Sequence, residues 1–142
     1  MIQRIGHINI RTPLLEETLG FFERLFDLRR GPASTMRDQN RNAWLYDHDG
    51  RAIIHVNMPG EQEVVPANGP RGRLDHIAFD CVDMDAMQGR LDDLGIEYLC
   101  RGTLVEGLNQ IVLKDPNGIS LELTFGSDRA LNPAFAHGGA SI

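Results

Sequence analysis

Cysteine is scarce in this chain: two in 142 residues, Cys81 and Cys100, forming neither a CxxC pair nor a disulfide framework. Reduced thiols in a cytoplasmic protein are the simplest reading. Positive charge is also in short supply, with 14 Lys and Arg against 20 Asp and Glu and a net charge of −6, which argues against a non-specific binder of nucleic acid or anionic membrane. No apolar run approaches a membrane span, and the N-terminus lacks the basic-then-apolar pattern of a signal peptide. GxGxxG loops, phosphate loops and Gly-x-Ser-x-Gly elements are all missing, and neither cysteine has a base partner nearby in sequence. Nucleophilic catalysis is therefore unsupported. What is present is ordinary for a globular chain, 42% hydrophobic and 24% charged, long enough for one domain with a real core.

The pattern along the chain repeats. Residues 1–11 carry a strand signal in which alternation puts Ile5, His7 and Asn9 on one face. Thr12-Pro13 reads as a helix start, and Leu15, Leu19, Phe22, Leu25 and Phe26 recur at helical spacing to about Leu28, before Gly31-Pro32. Short strands are expected near 33–37, 43–46 and 51–57, the last two separated by Asp47-His48-Asp49-Gly50. Residues 58–73, with three prolines, read as a linker or covering loop. A second strand then begins at Leu74-Asp75-His76-Ile77-Ala78-Phe79, followed by a helix from Asp83 to Leu94 closed by Gly95. Strands at 97–101, 110–114 and 119–124 follow, the last two joined by the strong turn sequence Asp115-Pro116-Asn117-Gly118. Residues 127–142 form an aperiodic tail.

His7 and His76 lie 69 residues apart, and the two Asp-x-x-Gly turns lie 68 apart (47 to 115). The chain is an internal duplication of a strand–helix–strand–strand–strand unit. The expected organisation is module one at 1–57, a linker at 58–73, module two at 74–126, and the tail.

Four polar residues fall on strands at matching places: His7 and His76 in the first strand of each half, His55 and Glu122 in the last. One histidine on a strand is ordinarily a polar residue satisfied by its neighbours, and one carboxylate is ordinarily held by an arginine. The matched set is what argues for a site. Neutral imidazoles with a carboxylate suit Fe²⁺, Mn²⁺, Zn²⁺ or Ni²⁺. Alternation groups Ile53, His55 and Asn57 on one face. The count from the turn glycine is five residues to His55 but four to Glu122, so one residue must be absorbed for the two to share a face. His48 in a turn, His137 in the tail, and the acidic cluster Asp83, Asp85, Asp92 and Asp93 read as solvated. Met36, Met84 and Met87 read as filler. Trp44, Tyr46 and Phe79 suit either a cleft lining or the core.

Through Gly6-His7-Ile8-Asn9-Ile10, Asp75-His76-Ile77-Ala78-Phe79 and Asp115-Pro116-Asn117-Gly118 up to Glu122, the chain resembles the vicinal oxygen chelate superfamily. That superfamily groups glyoxalase I, bleomycin-resistance proteins and extradiol dioxygenases. The resemblance covers residues 1–126. It implies an α+β fold of two tandem βαβββ modules whose curved mixed sheets enclose a cleft, and commonly a homodimer with the cleft completed within or between chains. It also implies a divalent ion held by His7, His76 and Glu122, the His/His/Glu set of the ring-cleaving branch, with Fe²⁺ or Mn²⁺ favoured. His55 falls about where that branch keeps an acid–base histidine, and where glyoxalase I usually has a Glu ligand that doubles as base. The ring-cleaving fingerprint also expects a His and a Tyr ahead of the Asp-Pro turn. This chain has Val112 near the tyrosine position and no His between Gly102 and Lys114.

The resulting expectation is a metal-dependent enzyme acting on a small molecule with two adjacent oxygens, with His55 as catalytic base. The lean is slightly towards extradiol-dioxygenase-like chemistry, ahead of a glyoxalase- or epimerase-type lyase or isomerase. A binding protein that sequesters an antibiotic or aromatic compound without turnover is the competing class. Neither nucleic acid nor membrane is an expected partner.

Overall fold

In the computed structural model, residues 4–32, 38–65, 74–103 and 107–126 are described. They form ten elements in two units: β1 (Ile8–Arg11), α1 (Leu15–Phe26), β2 (Arg29–Gly31), β3 (Asn42–Tyr46) and β4 (Ala52–Asn57), then β5 (His76–Asp80), α2 (Met84–Asp93), β6 (Tyr98–Gly102), β7 (Asn109–Lys114) and β8 (Ser120–Phe125). The two four-stranded sheets have the same order, β1-β4-β3-β2 and β5-β8-β7-β6. In each, the first strand runs parallel to the last, while the others pair antiparallel. No strand of one sheet pairs with the other among the described residues. This is the duplicated α+β architecture read from the sequence, with two open mixed sheets.

Each sheet buries one face. Ile10, Ala43, Leu45, Ile54 and Val56 from the first, and Ile111, Leu113, Leu121, Leu123 and Phe125 from the second, join one core with Leu15, Leu19, Phe22 and Leu25 of α1. Full burial of such a side chain is worth about 1.5–3 kcal/mol, so these residues fix which face of each sheet is hidden. The halves are also pinned by polar contacts. Asn117 Nδ2 donates to Thr18 Oγ1 at 2.9 Å, the Thr12 hydroxyl donates to Asn117 Oδ1, and Arg90 donates to the Leu25 carbonyl at 3.0 Å and pairs with Asp27 at 2.7 Å. Phe26 meets Phe79 with ring centroids 5.3 Å apart, which packs Phe79 against the edge of the core, where it also lines a cavity with Leu25 and Met87.

Several boundaries differ from the sequence expectation, each for a physical reason. Helix α1 begins at Leu15, because Thr12 is held elsewhere: its N–H donates to the Asn57 carbonyl at 2.9 Å, prolonging the β1–β4 pairing. The helix ends at Phe26, since Asp27 turns into left-handed backbone with φ 54° and the chain then starts β2. The strand expected at 33–37 lies outside the described residues, as do the tail with His137, Met36 and the end of the linker. Helix α2 follows the expectation, with Asp83 Oδ1 accepting from the Ala86 N–H at 3.0 Å and Gly95 at φ 63° closing it. Met84 and Met87 pack against the core.

The two Asp-x-x-Gly turns are built alike. The Gly50 and Gly118 N–H groups each donate at 3.0 Å to the carbonyl of the turn's aspartate, and both glycines sit at φ 77–78°, where an L side chain is strained. Asp47 Oδ1 accepts from the N–H of Asp49 and Arg51, just as Asp115 Oδ1 accepts from that of Asn117 and Ile119.

Candidate metal and substrate site

Alternation leaves each sheet a second face turned away from the shared core. On the second sheet that face carries His76, Ala78, Val112 and Glu122. His76 pairs with Ser120, Ala78 with Glu122, and Val112 with Glu122 across β7 and β8. His76 and Glu122 are thus diagonal neighbours on adjacent strands, pointing the same way. Asp75 Oδ2 lies 3.0 Å from His76 Nδ1, which leaves Nε2 as the free ring nitrogen. Fixing one imidazole nitrogen through a carboxylate is the usual arrangement behind a metal-ligating histidine. Glu122 is half-buried, and among the described residues it has no ion pair; its only hydrogen bond, from Thr124 Oγ1, is long at 3.4 Å. Among the described residues no arginine makes it a structural ion pair. A carboxylate and an imidazole are donor types that suit a divalent ion.

A cleft of about 1020 Å³ adjoins the same face, lined by Leu99, Arg101, Val112, Lys114 and Ser120 among others. Val112 connects it to Glu122, although neither His76 nor Glu122 lines it.

On the first sheet the corresponding face carries Asn9, Asn42, Trp44, His55 and Asn57, through the pairs Asn9–His55, Trp44–His55 and Asn42–Asn57. The residue count that separates His55 from Glu122 is resolved by a β-bulge. Leu45 pairs with Ile54 and Tyr46 with Ala52, so Ile53 is the extra residue and packs against the core. This corrects the simple alternation, which had set Ile53 beside His55 and put Ala52 with Ile54. With the bulge, His55 pairs with Asn9 as Glu122 pairs with Ala78, and the two occupy equivalent places.

Trp44 and His55 stack with centroids 5.1 Å apart and planes 6° from parallel, and His7 meets Trp44 edge-on at 4.5 Å. His7 lies just before β1 rather than within it, and is exposed. Its ring centroid is 6.4 Å from that of His55. Burial, and then the nearby His7, holds the His55 imidazole below the ordinary histidine range, so it is neutral at pH 7. His55 Nε2 is buried without a hydrogen-bond partner.

The structure thus brings the four residues together in two pairs, His76 with Glu122 and His7 with His55. It does not assemble His7, His76 and Glu122 into one cluster: among the described residues no group of three His, Cys, Asp or Glu side chains is placed to hold an ion. The physical reason is that each pair sits on the face its own sheet turns away from the common core. The remaining candidates are accounted for. Tyr46 Oη donates to the Pro32 carbonyl at 3.1 Å, and His48 is exposed beside Asp49. Burial and then Asp80 push the Cys81 thiol up to about 11, which removes it as a nucleophile. The contact of Asp75 with His76 and the place of Asn42 beside Trp44 are features that the structure adds. The Asp-His pair opening β5 and the alternation of Asn42 with Trp44 were the available signals.

The comparisons identify the family and the fold. The family model for the Glyoxalase/Bleomycin resistance protein/Dioxygenase superfamily matches residues 4–123. A protein named glyoxylase I 4 from Arabidopsis thaliana is 26% identical over 126 residues, spanning 84% of this chain and 68% of that protein. Among solved structures, the fosfomycin resistance protein FosX from Listeria monocytogenes superposes with a TM-score of 0.67 at 22% identity, covering 89% of this chain and 94% of that one. A lactoylglutathione lyase from Agrobacterium tumefaciens gives 0.64 at 19% identity, covering 88% and 95%. At these identities the structural matches speak for the fold.

Proposed function

Because the chain belongs to the Glyoxalase/Bleomycin resistance protein/Dioxygenase superfamily, we propose that it is a metal-dependent enzyme that moves a proton on a small substrate held through two adjacent oxygens. The observation that carries this reading is the pair His76 and Glu122 on one face of β5 and β8, with His76 Nδ1 engaged by Asp75 and Glu122 lacking a cation among the described residues. His76 Nε2 and the Glu122 carboxylate would hold the ion, and His7 of a second copy would complete the set. In that arrangement the metal-bearing face of one protomer meets the first-sheet face of its partner. Exposed Leu99, on the second sheet's outward face, suits such a contact. A bound divalent ion would supply Lewis acidity, polarising both substrate oxygens and stabilising the negative charge that develops on them.

Proton transfer then belongs to His55. It is neutral at pH 7, its Nε2 has no internal partner, and it stands beside His7, the ligand that a second copy would contribute, so the paired arrangement would bring it near the chelated oxygens. Nε2 accepts the proton and can return it to the neighbouring carbon, the work of a lyase or isomerase. The relatives named as glyoxylase and lactoylglutathione lyase support this branch. So does Val112: it pairs directly with Glu122, so the place where the ring-cleaving fingerprint expects a tyrosine hydroxyl is aliphatic.

The His/His/Glu composition favours ring cleavage as the second reading. Metal analysis of protein purified without chelator, followed by parallel hemithioacetal-isomerisation and catechol oxygen-uptake assays, separates the possibilities. The expected result is bound divalent metal, with isomerisation lost in Glu122→Ala. Oxygen uptake abolished by the same substitution would move the protein to the dioxygenase branch. Metal-free protein indifferent to Glu122→Ala would make it a binding protein.

A further inference from the structure

Three further atoms on the first sheet's outward face have no use in the chemistry above. Asn42 Oδ1, Asn57 Oδ1 and Trp44 Nε1 are all buried and, among the described residues, all without a hydrogen-bond partner. Asn42 and Asn57 are direct cross-strand partners, and Trp44 is two residues along β3 from Asn42, on the same face. Asn42 and Trp44 are 6% and 9% exposed, so neither is a solvated surface group. Asn42 is oriented by its own amide, whose Nδ2 donates to the Asp38 carbonyl at 2.8 Å, so that Oδ1 is the atom left over. Buried polar atoms are nearly always satisfied, and unsatisfied ones grouped on the face that carries His55 point to a ligand that satisfies them.

The set has a definite chemistry: two amide oxygens on cross-strand partner residues that accept, and one indole N–H that donates. Among the described residues of these strands no unpaired charged side chain balances an ionic ligand there. Arg11, which pairs with Asn57 across β1 and β4, is engaged by Glu63 at 2.8 Å. We propose that Asn42, Asn57 and Trp44 bind an uncharged substrate arm with two N–H donors beside one acceptor, the pattern of a primary carboxamide. Its two N–H groups go to the asparagine oxygens and its carbonyl accepts from Trp44 Nε1. Stacked on His55, Trp44 is held in orientation for this contact. The inference rests on the reading of this face as the substrate face, and names the substrate class it selects.

The test uses two neutral catechols of nearly equal shape, 3,4-dihydroxybenzamide and 3,4-dihydroxyacetophenone, the second with a methyl group in place of the NH₂. Binding is measured calorimetrically to the full chain with Mn²⁺ and again after chelation. The amide is expected to bind at least about tenfold tighter than the ketone in both conditions, because a site built for N–H donors rejects the analogue lacking them. Asn57→Leu is expected to reduce the preference to under about threefold. Asn57→Asp, which keeps an acceptor, serves as the conservative variant and is expected to retain a preference. Circular dichroism and affinity for unsubstituted catechol control for misfolding. Equal affinities in the wild-type chain, or a preference untouched by Asn57→Leu with folding intact, overturn the proposal, as does no binding of either probe. An amide preference that persists while Mn²⁺ changes nothing upholds this inference and defeats the metal reading, so the two failures are distinguishable.

Discussion

His55 and Glu122 occupy the same place in the two halves of the chain, each in the last strand of its module and each aligned with the residue two positions beyond His7 or His76. One module therefore presents a carboxylate there and the other a neutral base. On the proposed function these are two different tools on equivalent scaffolds, a metal ligand and a proton acceptor. If Glu122 is a ligand, Glu122→Gln, which preserves shape and removes charge, lowers Mn²⁺ affinity by about 100-fold or more, whereas His55→Gln changes it by less than about tenfold. Titration calorimetry on both variants checks this. Equal losses would make His55 a ligand.

The neutral state of His55 has a pH signature. A base held below the ordinary histidine value of 6.5 stays competent in mildly acidic solution, so turnover falls only as pH drops through a midpoint below 6.5. Stability follows the same group. Below 6.5 the unfolded chain binds a proton that the folded chain refuses, so stability declines as pH falls, and the decline ends once the folded-state value has been passed. His55→Gln flattens that slope. Denaturant unfolding at a series of pH values between 7 and 5 measures it, and an unchanged slope would place the imidazole in solvent.

The duplicated architecture was legible because its signals are local and repeated: matched histidines, matched Asp-x-x-Gly turns and a helical stripe of Leu and Phe in α1. Two features were not. The bulge at Ile53 depends on how β3 and β4 pair, and it alone explains why a five-residue step and a four-residue step arrive on the same face. Nor could periodicity tell whether His7 meets His76 and Glu122, because that depends on which faces the two sheets hide. Here the answer came from Leu121, Leu123, Ile54 and Val56, all fully buried on the opposite face from the candidate ligands. Helix α1 misled at both ends for one reason. Thr12 and Asp27 look like parts of a helix, but tertiary partners, Asn57 and Asn117 for one and Arg90 for the other, hold them outside it.

Asn117 shows how a turn residue can join modules. It donates to Thr18 of α1, accepts from Thr12, and donates to Asp115 at 2.9 Å within its own turn. Asn117→Ala leaves the Thr12 and Thr18 hydroxyls without this partner and is expected to cost about 1–3 kcal/mol in denaturant unfolding. Asp115 loses a hydrogen bond that counters the rise burial imposes on its carboxyl, so that carboxyl moves further up in the variant. A stability equal to wild type would mean that water replaces every one of these bonds.

The site proposed between copies makes a prediction that no single-chain site shares. His7→Ala and Glu122→Ala should each be inactive, since each removes one ligand from every site. When the two variants are mixed, unfolded and refolded together, random pairing makes half of the dimers mixed. In a mixed dimer one interface receives both damaged partners, while the other receives intact His7 from one chain and intact His76 and Glu122 from the other. One site of two is restored in half of the molecules, so activity should return to roughly a quarter of wild type, as a symmetric two-site dimer requires. A site contained within one chain gives no recovery at any mixing ratio, because every chain then carries its own lesion. Activity plotted against the fraction of each variant should peak at equal proportions, and a flat line at zero would end the between-copies proposal.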